Sequence, residues 1–246
     1  MIQTIRKAWG IPELRKKIIF TLLILLIFRI GNAITVPYIN KDALQIQLAS
    51  MGSTYFGLLN TMSGGAFSMA TVFALSIQPY INASIIIQLL TVAIPALERL
   101  AKDGGEEGRK KIQSITRYTT VGIAVLQAFG YYMMMQRYNL LESGVSGIWP
   151  ALVIIVTLIA GSSFVMWMGE QVNEFGVGNG ISIVLLFNIV SSLPQDVNTL
   201  YTRFLSNSKN IGSTVLIVLI MLAVTAAMVV FVIILQDGER RIPVQY

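Results

Sequence analysis

The sequence predicts an all-α membrane protein: a polytopic helical bundle of six transmembrane helices plus one re-entrant helix, with N- and C-termini cytoplasmic. Three observations carry that fold class. Of the 246 residues, 54% are hydrophobic and 12% charged, whereas a soluble domain carries about 25% charged residues. Apolar runs of crossing length recur along the whole chain. From Ala43 to Leu97 there is no Asp, Glu, Lys or Arg, and the core of that stretch, Leu59–Leu97, is nearly two crossings' worth at about 20 apolar residues each. That stretch is broken at Gly64-Gly65 and again at Gln78-Pro79. Irregular backbone at membrane depth survives only where protein or a water-filled cavity satisfies its polar groups. The stretch therefore reads as a re-entrant half-helix leading into a full span, an element that channels and transporters use.

The first span is Ile18–Pro37. Basic residues precede it, but Arg29 interrupts the apolar run and no clean small-residue cleavage site follows, so it is read as a retained span and not a signal peptide. The second is Thr71–Ala96, the third Tyr118–Gln136, the fourth Trp149–Gly169, the fifth Ile181–Pro194 with continuation toward Leu205, and the sixth Ser213–Leu235. Spans one to five with the re-entrant element (about 60–76) form a first unit over 1–212, and 213–246 holds the sixth span and the start of a cytoplasmic loop. The loop Glu98–Arg117 is dense in charge and reads either as a solvated turn or as a docking surface for a soluble partner. In Glu170–Gly180, GVGNG has the wrong spacing for a phosphate fingerprint and follows an apolar helix, so its glycines serve a tight turn.

The net charge of +6 is explained by topology. With an even number of spans, one side's loops hold thirteen basic residues (Arg6 to Lys17, Arg99 to Arg117, Arg240 and Arg241) and the other side's four, Lys41, Arg137, Arg203 and Lys209. The Lys/Arg-rich side is cytoplasmic. Arg29 is the one clearly intramembrane charge, and it is read as structural, snorkelling or capping carbonyls. Asn82, Ser84, Gln88 and Gln127 are neutral polar residues within spans, for which helix–helix hydrogen bonding is the plain role.

The chain has no cysteine and no histidine, which removes disulfides, thiolate chemistry and the commonest metal ligand. All twelve acidic residues fall in loops or at span edges. A buried base for hydrolysis is thus missing, as are the midplane carboxylates of ion-coupled carriers. No enzymatic activity, cofactor or metal is expected.

Five stretches carry a resemblance: FRIGNAITVP (Phe28–Pro37), NTMSGGAFSMATVFALSIQPYINASIIIQLLTV (Asn60–Val92), DGGEEGRKKIQSITRY (Asp103–Tyr118), MWMGEQVNEFGVGNGISIV (Met166–Val184) and DGERRIPVQY (Asp237–Tyr246). In order and spacing they resemble the N-terminal part of the SecY family, the channel subunits of the bacterial Sec protein translocase. The resemblance implies a pore-forming subunit that passes secretory polypeptides across the cytoplasmic membrane and releases membrane-protein segments laterally into it. It implies a plug over Asn60–Ser76, a short helix that includes Asn60, Met62, Ser63, Gly64, Gly65 and Phe67. It places an apolar pore ring on Ile77, Ile81, Ile181 and Leu185, the last a departure from the family's isoleucine. Asn82 and Gln127 fall at a lateral gate, and Arg109, Lys110, Lys111, Arg240 and Arg241 at a cytoplasmic docking face.

The partners so implied are SecE-like and SecG-like small membrane subunits, the SecA motor ATPase, the ribosome, signal sequences and translocating polypeptides, and the lipid bilayer. The family has about ten spans in two halves. The second half is absent from this sequence, so a fragment or a separately numbered second half is expected as a further partner. Two alternatives stand beside this reading: a secondary transporter or uniporter for a small solute built on the discontinuous helix, and a scaffold subunit with no pore of its own.

Overall fold

The computed structural model describes residues 10–51, 54–142, 147–200, 211–236 and 238. Arg6, Lys7, Arg203, Lys209, Arg240 and Arg241 lie outside them. Among the described residues the regular structure is entirely helical: α1 (Pro12–Gly31), α2 (Lys41–Met51), α3 (Thr54–Met62), α4 (Gln78–Ala93), α5 (Pro95–Lys102), α6 (Gly105–Arg137), α7 (Ile148–Phe175), α8 (Gly180–Leu200) and α9 (Ile211–Gln236). Two compact units divide the chain, Met1–Ser192 and Leu193–Tyr246.

Within the first unit each long helix buries one narrow stripe. In α6 the buried positions are Thr116, Thr120, Ala124, Ala128, Tyr131 and Met135, spaced by three or four residues so that they fall on one face. Most are small, which lets α4 and α7 approach closely. In α1 the corresponding stripe is Thr21, Ile24, Phe28 and Gly31. The opposite faces stay apolar and exposed, for example Leu22, Leu26, Leu89 and Leu126. Such continuous apolar exposure fits lipid as the solvent and not water. In the second unit, the described side chains of α9 are exposed apart from Val218, over a nearly uninterrupted apolar sequence.

By length and composition, Ile148–Phe175 and Val218–Gln236 are each able to cross a membrane, and the bent pair α4 and α5 adds a third candidate. The remaining expected spans are less apolar for visible reasons. α1 carries Arg15, Lys16, Lys17 and Arg29, and the apolar part of α6 contains Thr119, Thr120 and Gln127.

Three local expectations change. The helix of the re-entrant region is α3, ahead of Gly64-Gly65, and 63–77 is a succession of turns instead of a helix over 60–76. Gly64 and Gly65 take positive φ, as do Ala70 (48°) and Ser76 (51°), a left-handed backbone that ends helical hydrogen bonding. For the same reason the second span's helix begins at Gln78 and not at Thr71, with Pro79 in its first turn. The charged stretch Glu98–Arg117 is largely helical. Ile94 is extended (φ −108°, ψ 113°) because Pro95 follows it, α5 departs from α4 at 101°, and Gly105 (φ 54°) separates α5 from α6. The helix at the expected fifth span, α8, continues beyond Pro194 to Leu200. A segment absent from the sequence reading, α2, is capped by Asn40, whose Oδ1 accepts the Ala43 N–H at 3.1 Å.

Packing is tightest where glycine meets backbone. A Cβ on Gly161 of α7 would overlap the Val72 carbonyl, whereas one on Gly122 of α6 would meet nothing within 4 Å. Gly161→Ala is therefore expected to cost about 1–3 kcal/mol by overpacking, while Gly122→Ala gains helix propensity of about 1 kcal/mol. Thermal denaturation of the complete complex in detergent checks this; equal midpoints for the two variants would refute the close contact.

Candidate functional site

The site is built around the irregular segment 63–77, whose backbone must find partners outside any helix. Some come from within. Ser63 Oγ accepts the Phe67 N–H at 3.0 Å, and Asn60 Oδ1 accepts the Ser68 N–H at 3.0 Å. Others come from the extended chain after α1. The Val36 N–H donates to the Ala70 carbonyl at 2.8 Å, and the Val72 N–H to the Ile34 carbonyl at 2.9 Å. Two more come from helices. Tyr131 Oη in α6 donates to the Phe67 carbonyl at 3.0 Å, and Asn188 Nδ2 in α8 donates to the Met62 carbonyl at 3.0 Å and to Ser76 Oγ at 3.1 Å.

Side chains of the segment fill two apolar clusters. Phe67, Ala70, Ala74 and Leu75 join Tyr131, Met135, Ile154 and Leu158 in one. Phe73 joins the other, stacked on Phe28 (centroids 5.4 Å apart) and on Phe164 (6.1 Å). Ile77, at 1% exposure, belongs to this second cluster, with Ile81 and Ile181 packed against it. Gly169 of α7 lies between the two, where a Cβ would be in ordinary contact with both Ile77 Cδ1 and Ile181 Cγ1 at 3.4 Å. Three of the four expected ring positions thus converge. Leu185, one turn beyond Ile181, is half-buried and not part of the cluster.

Of the six expected plug residues, Asn60 and Met62 close α3, while Ser63, Gly64, Gly65 and Phe67 lie in the turns. A cleft of about 700 Å³ lies between α3, this segment and α6, lined by Tyr55, Phe56, Leu59, Gln78, Gln127 and Met134 among others. Gln127 is on that wall, and half-buried Asn82 is not.

At the opposite end of the unit, Arg117 Nε and Glu170 Oε1 pair at 2.7 Å across α6 and α7, and Gln113 Nε2 donates to the same carboxylate oxygen at 3.3 Å. Here Thr21 Oγ1 accepts the Val177 N–H at 3.2 Å, holding the glycine-rich loop against α1. Asn179 Oδ1 caps α8 by accepting the Ile181 and Ser182 N–H groups, and Asn173 Oδ1 accepts the Gly180 N–H at 2.7 Å. The Val177, Gly180, Ile181 and Ser182 N–H groups are thus engaged by protein, consistent with a structural turn. Arg109, Lys110 and Lys111 project exposed from the first turns of α6. Lys102 pairs with Glu98 at 2.7 Å, which holds its ammonium above the ordinary lysine range through that hydrogen bond.

Residues 71–246 match the SecY family model. The chain belongs to the SecY family. It is 42% identical to the protein translocase subunit SecY of Bacillus subtilis (strain 168), an alignment covering 100% of this chain and 57% of that protein. It is 39% identical to the SecY subunit of Aquifex aeolicus (strain VF5), again over 100% and 57%. The chain thus spans little more than half the length of these SecY relatives. Two solved structures share the fold. One is described as the structure of a protein conducting channel (TM-score 0.52, 19% identity, 82% of this chain and 42% of that chain). The other is Sec61 in the canine ribosome-channel complex from the endoplasmic reticulum (TM-score 0.53, 18% identity, 98% and 54%).

Sequence reasoning missed Asn188, Tyr131 and the Arg117–Glu170 pair, and it gave Ser76 only as the boundary of the plug. Asn188 was open to discovery, as the only amide in the apolar run ISIVLLFNIV. Tyr131 carried no such signal among neighbouring Tyr and Met residues. Tyr131→Phe removes one of two donors to the Phe67 carbonyl, the Ala70 N–H remaining at 3.3 Å. It is expected to cost about 1 kcal/mol and to speed amide exchange in 63–77 while α7 keeps its protection. Unchanged exchange across the segment would remove the bond from the account.

Proposed function

We propose that this chain forms the N-terminal half of a protein-conducting channel. It would pass secretory polypeptides across the bacterial cytoplasmic membrane as a multi-pass subunit and release membrane segments into lipid. One observation carries the reading: Ile77, Ile81 and Ile181 converge from α4 and α8 over Gly169, directly beside a re-entrant segment held by hydrogen bonds. Aliphatic side chains at such a throat make a dry constriction, where an ion pays a large desolvation cost and an extended polypeptide fills the space. Leu185 completes the set on α8. The segment 60–76, which begins in the last turn of α3, acts as the plug that seals the resting pore. Family membership and the described packing support this reading, and no observation favours the solute-carrier alternative.

In this proposal six spans place both ends in the cytoplasm. The sorting of Arg117 and Glu170 to one end and of Lys41 and Arg137 to the other agrees with the basic bias. Asn82 and Gln127 tune the stability of the lateral gate against an apolar signal sequence, which gains by entering lipid. Arg109, Lys110 and Lys111, joined by Arg240 and Arg241, receive SecA or the ribosome, whose RNA phosphates suit basic side chains. The second half of the family fold, with SecE-like and SecG-like subunits, completes the pore.

Single cysteines at Ile77, Ile81, Ile181 and Leu185, introduced into a chain that has none, are expected to crosslink to a stalled secretory polypeptide in the complete complex. Crosslinks confined to other positions would sink the ring. Charge reversal at Arg109, Lys110 and Lys111 together is expected to weaken SecA or ribosome binding about tenfold or more, most at low salt. Binding that is unaltered at every ionic strength would exclude this face as the docking surface.

A further inference from the structure

We propose that Asn188 is a positioning residue, a latch on α8 that holds the re-entrant segment in its docked place and releases it when the ring residues of the same helix move. The inference rests on the plug reading above. The Asn188 side chain is fully buried, at 0% exposure. Its single amide nitrogen donates to the carbonyl of Met62, the last residue of α3, and to the hydroxyl of Ser76, just ahead of α4. One group therefore ties the two ends of the segment together.

Two further features mark the contact as built for this. Ser76 is kept in a left-handed conformation (φ 51°) that a non-glycine residue rarely adopts, and the bond from Asn188 helps hold it there. Gly64 seats directly on α8. A Cβ in its place would approach Ser191 Oγ to 2.8 Å and Asn188 Oδ1 to 3.1 Å, so only glycine permits the docked fit.

The latch is also poised. Asn188 Oδ1 is buried with no hydrogen-bond partner among the described residues. A buried acceptor without a donor penalises the state that buries it, here the docked one. Release exposes that oxygen to water and removes the penalty. Ile181, Leu185 and Asn188 stand four and three residues apart and so share one helix face. A polypeptide that pushes the two aliphatic residues outward carries the amide with them. Widening of the ring and freeing of the segment then become one motion of α8.

The test uses the complete translocase, with both halves and its small subunits, carrying the double substitution Ser76→Cys and Asn188→Cys. Reduced, it lacks the latch. Its resting ion conductance in planar bilayers is expected to rise by about tenfold, and it should export substrates with weakened signal sequences. Oxidised, the disulfide replaces the hydrogen bond. Conductance returns to the resting level and export stops until reductant is added. A merely structural role for Asn188 would not give that reversibility. Asn188→Ala is expected to leak like the reduced form, under either redox condition. Deleting 60–74 separates the two ideas. If the deletion leaks while Asn188→Ala and the reduced double variant stay tight, the latch is wrong and the plug stands. If the deletion itself stays tight, the plug reading falls and the latch with it.

Discussion

The structure depends on one requirement: the turns between α3 and α4 must satisfy their backbone polar groups although no helix does so for them. In an apolar surround each missing partner costs about 1–3 kcal/mol, so the segment persists only because its neighbours supply donors and acceptors. The chain after α1 supplies two backbone bonds and α6 a phenol, while α8 brings an amide to the Met62 carbonyl that ends α3 and to the Ser76 hydroxyl. The helices around it are thus arranged about a non-helical centre. The same stretch, turning at Pro37-Tyr38, continues to the far end of α6, where Asn40 N–H meets the Leu140 carbonyl at 2.9 Å. Residues 34–40 therefore tie the segment and the exit of α6 to one short stretch of backbone.

Close approach is the second condition, and glycine provides it at particular places. Gly161 admits the Val72 carbonyl and Gly31 admits the ring of Phe73, and together they seat the segment. Aromatic stacking from Phe28 through Phe73 and Phe164 to Trp167 fixes the orientation of the segment's far end relative to α1 and α7.

Much of this was legible in the residues. Composition and the long uncharged stretch announced membrane helices with an irregular insertion, because burial in lipid leaves a signature in every position of a span. Ile77, Ile81 and Ile181 were readable through family resemblance and do come together. The exact course of the insertion was not, since Ala70 and Ser76 adopt left-handed backbone that only tertiary bonds make tolerable. The helical character of Glu98–Arg117 was hidden for a different reason: charge density resembles a solvated loop whether or not the backbone is helical. Polar partners such as Tyr131 and Asn188 act across 64 and 126 residues of sequence, and local patterning holds no record of that pairing.

The right-angled junction at Ile94 has a mechanical consequence. With α5 set at 101° to α4, the two helices form a bell crank whose fulcrum is Pro95. The short arm, eight residues, reaches about 12 Å from the axis of α4. It is keyed to α6 where the Leu100 carbonyl rests on Gly108, a seat that a Cβ would block. A sideways load on α5 would therefore act on α4 as a torque about its axis.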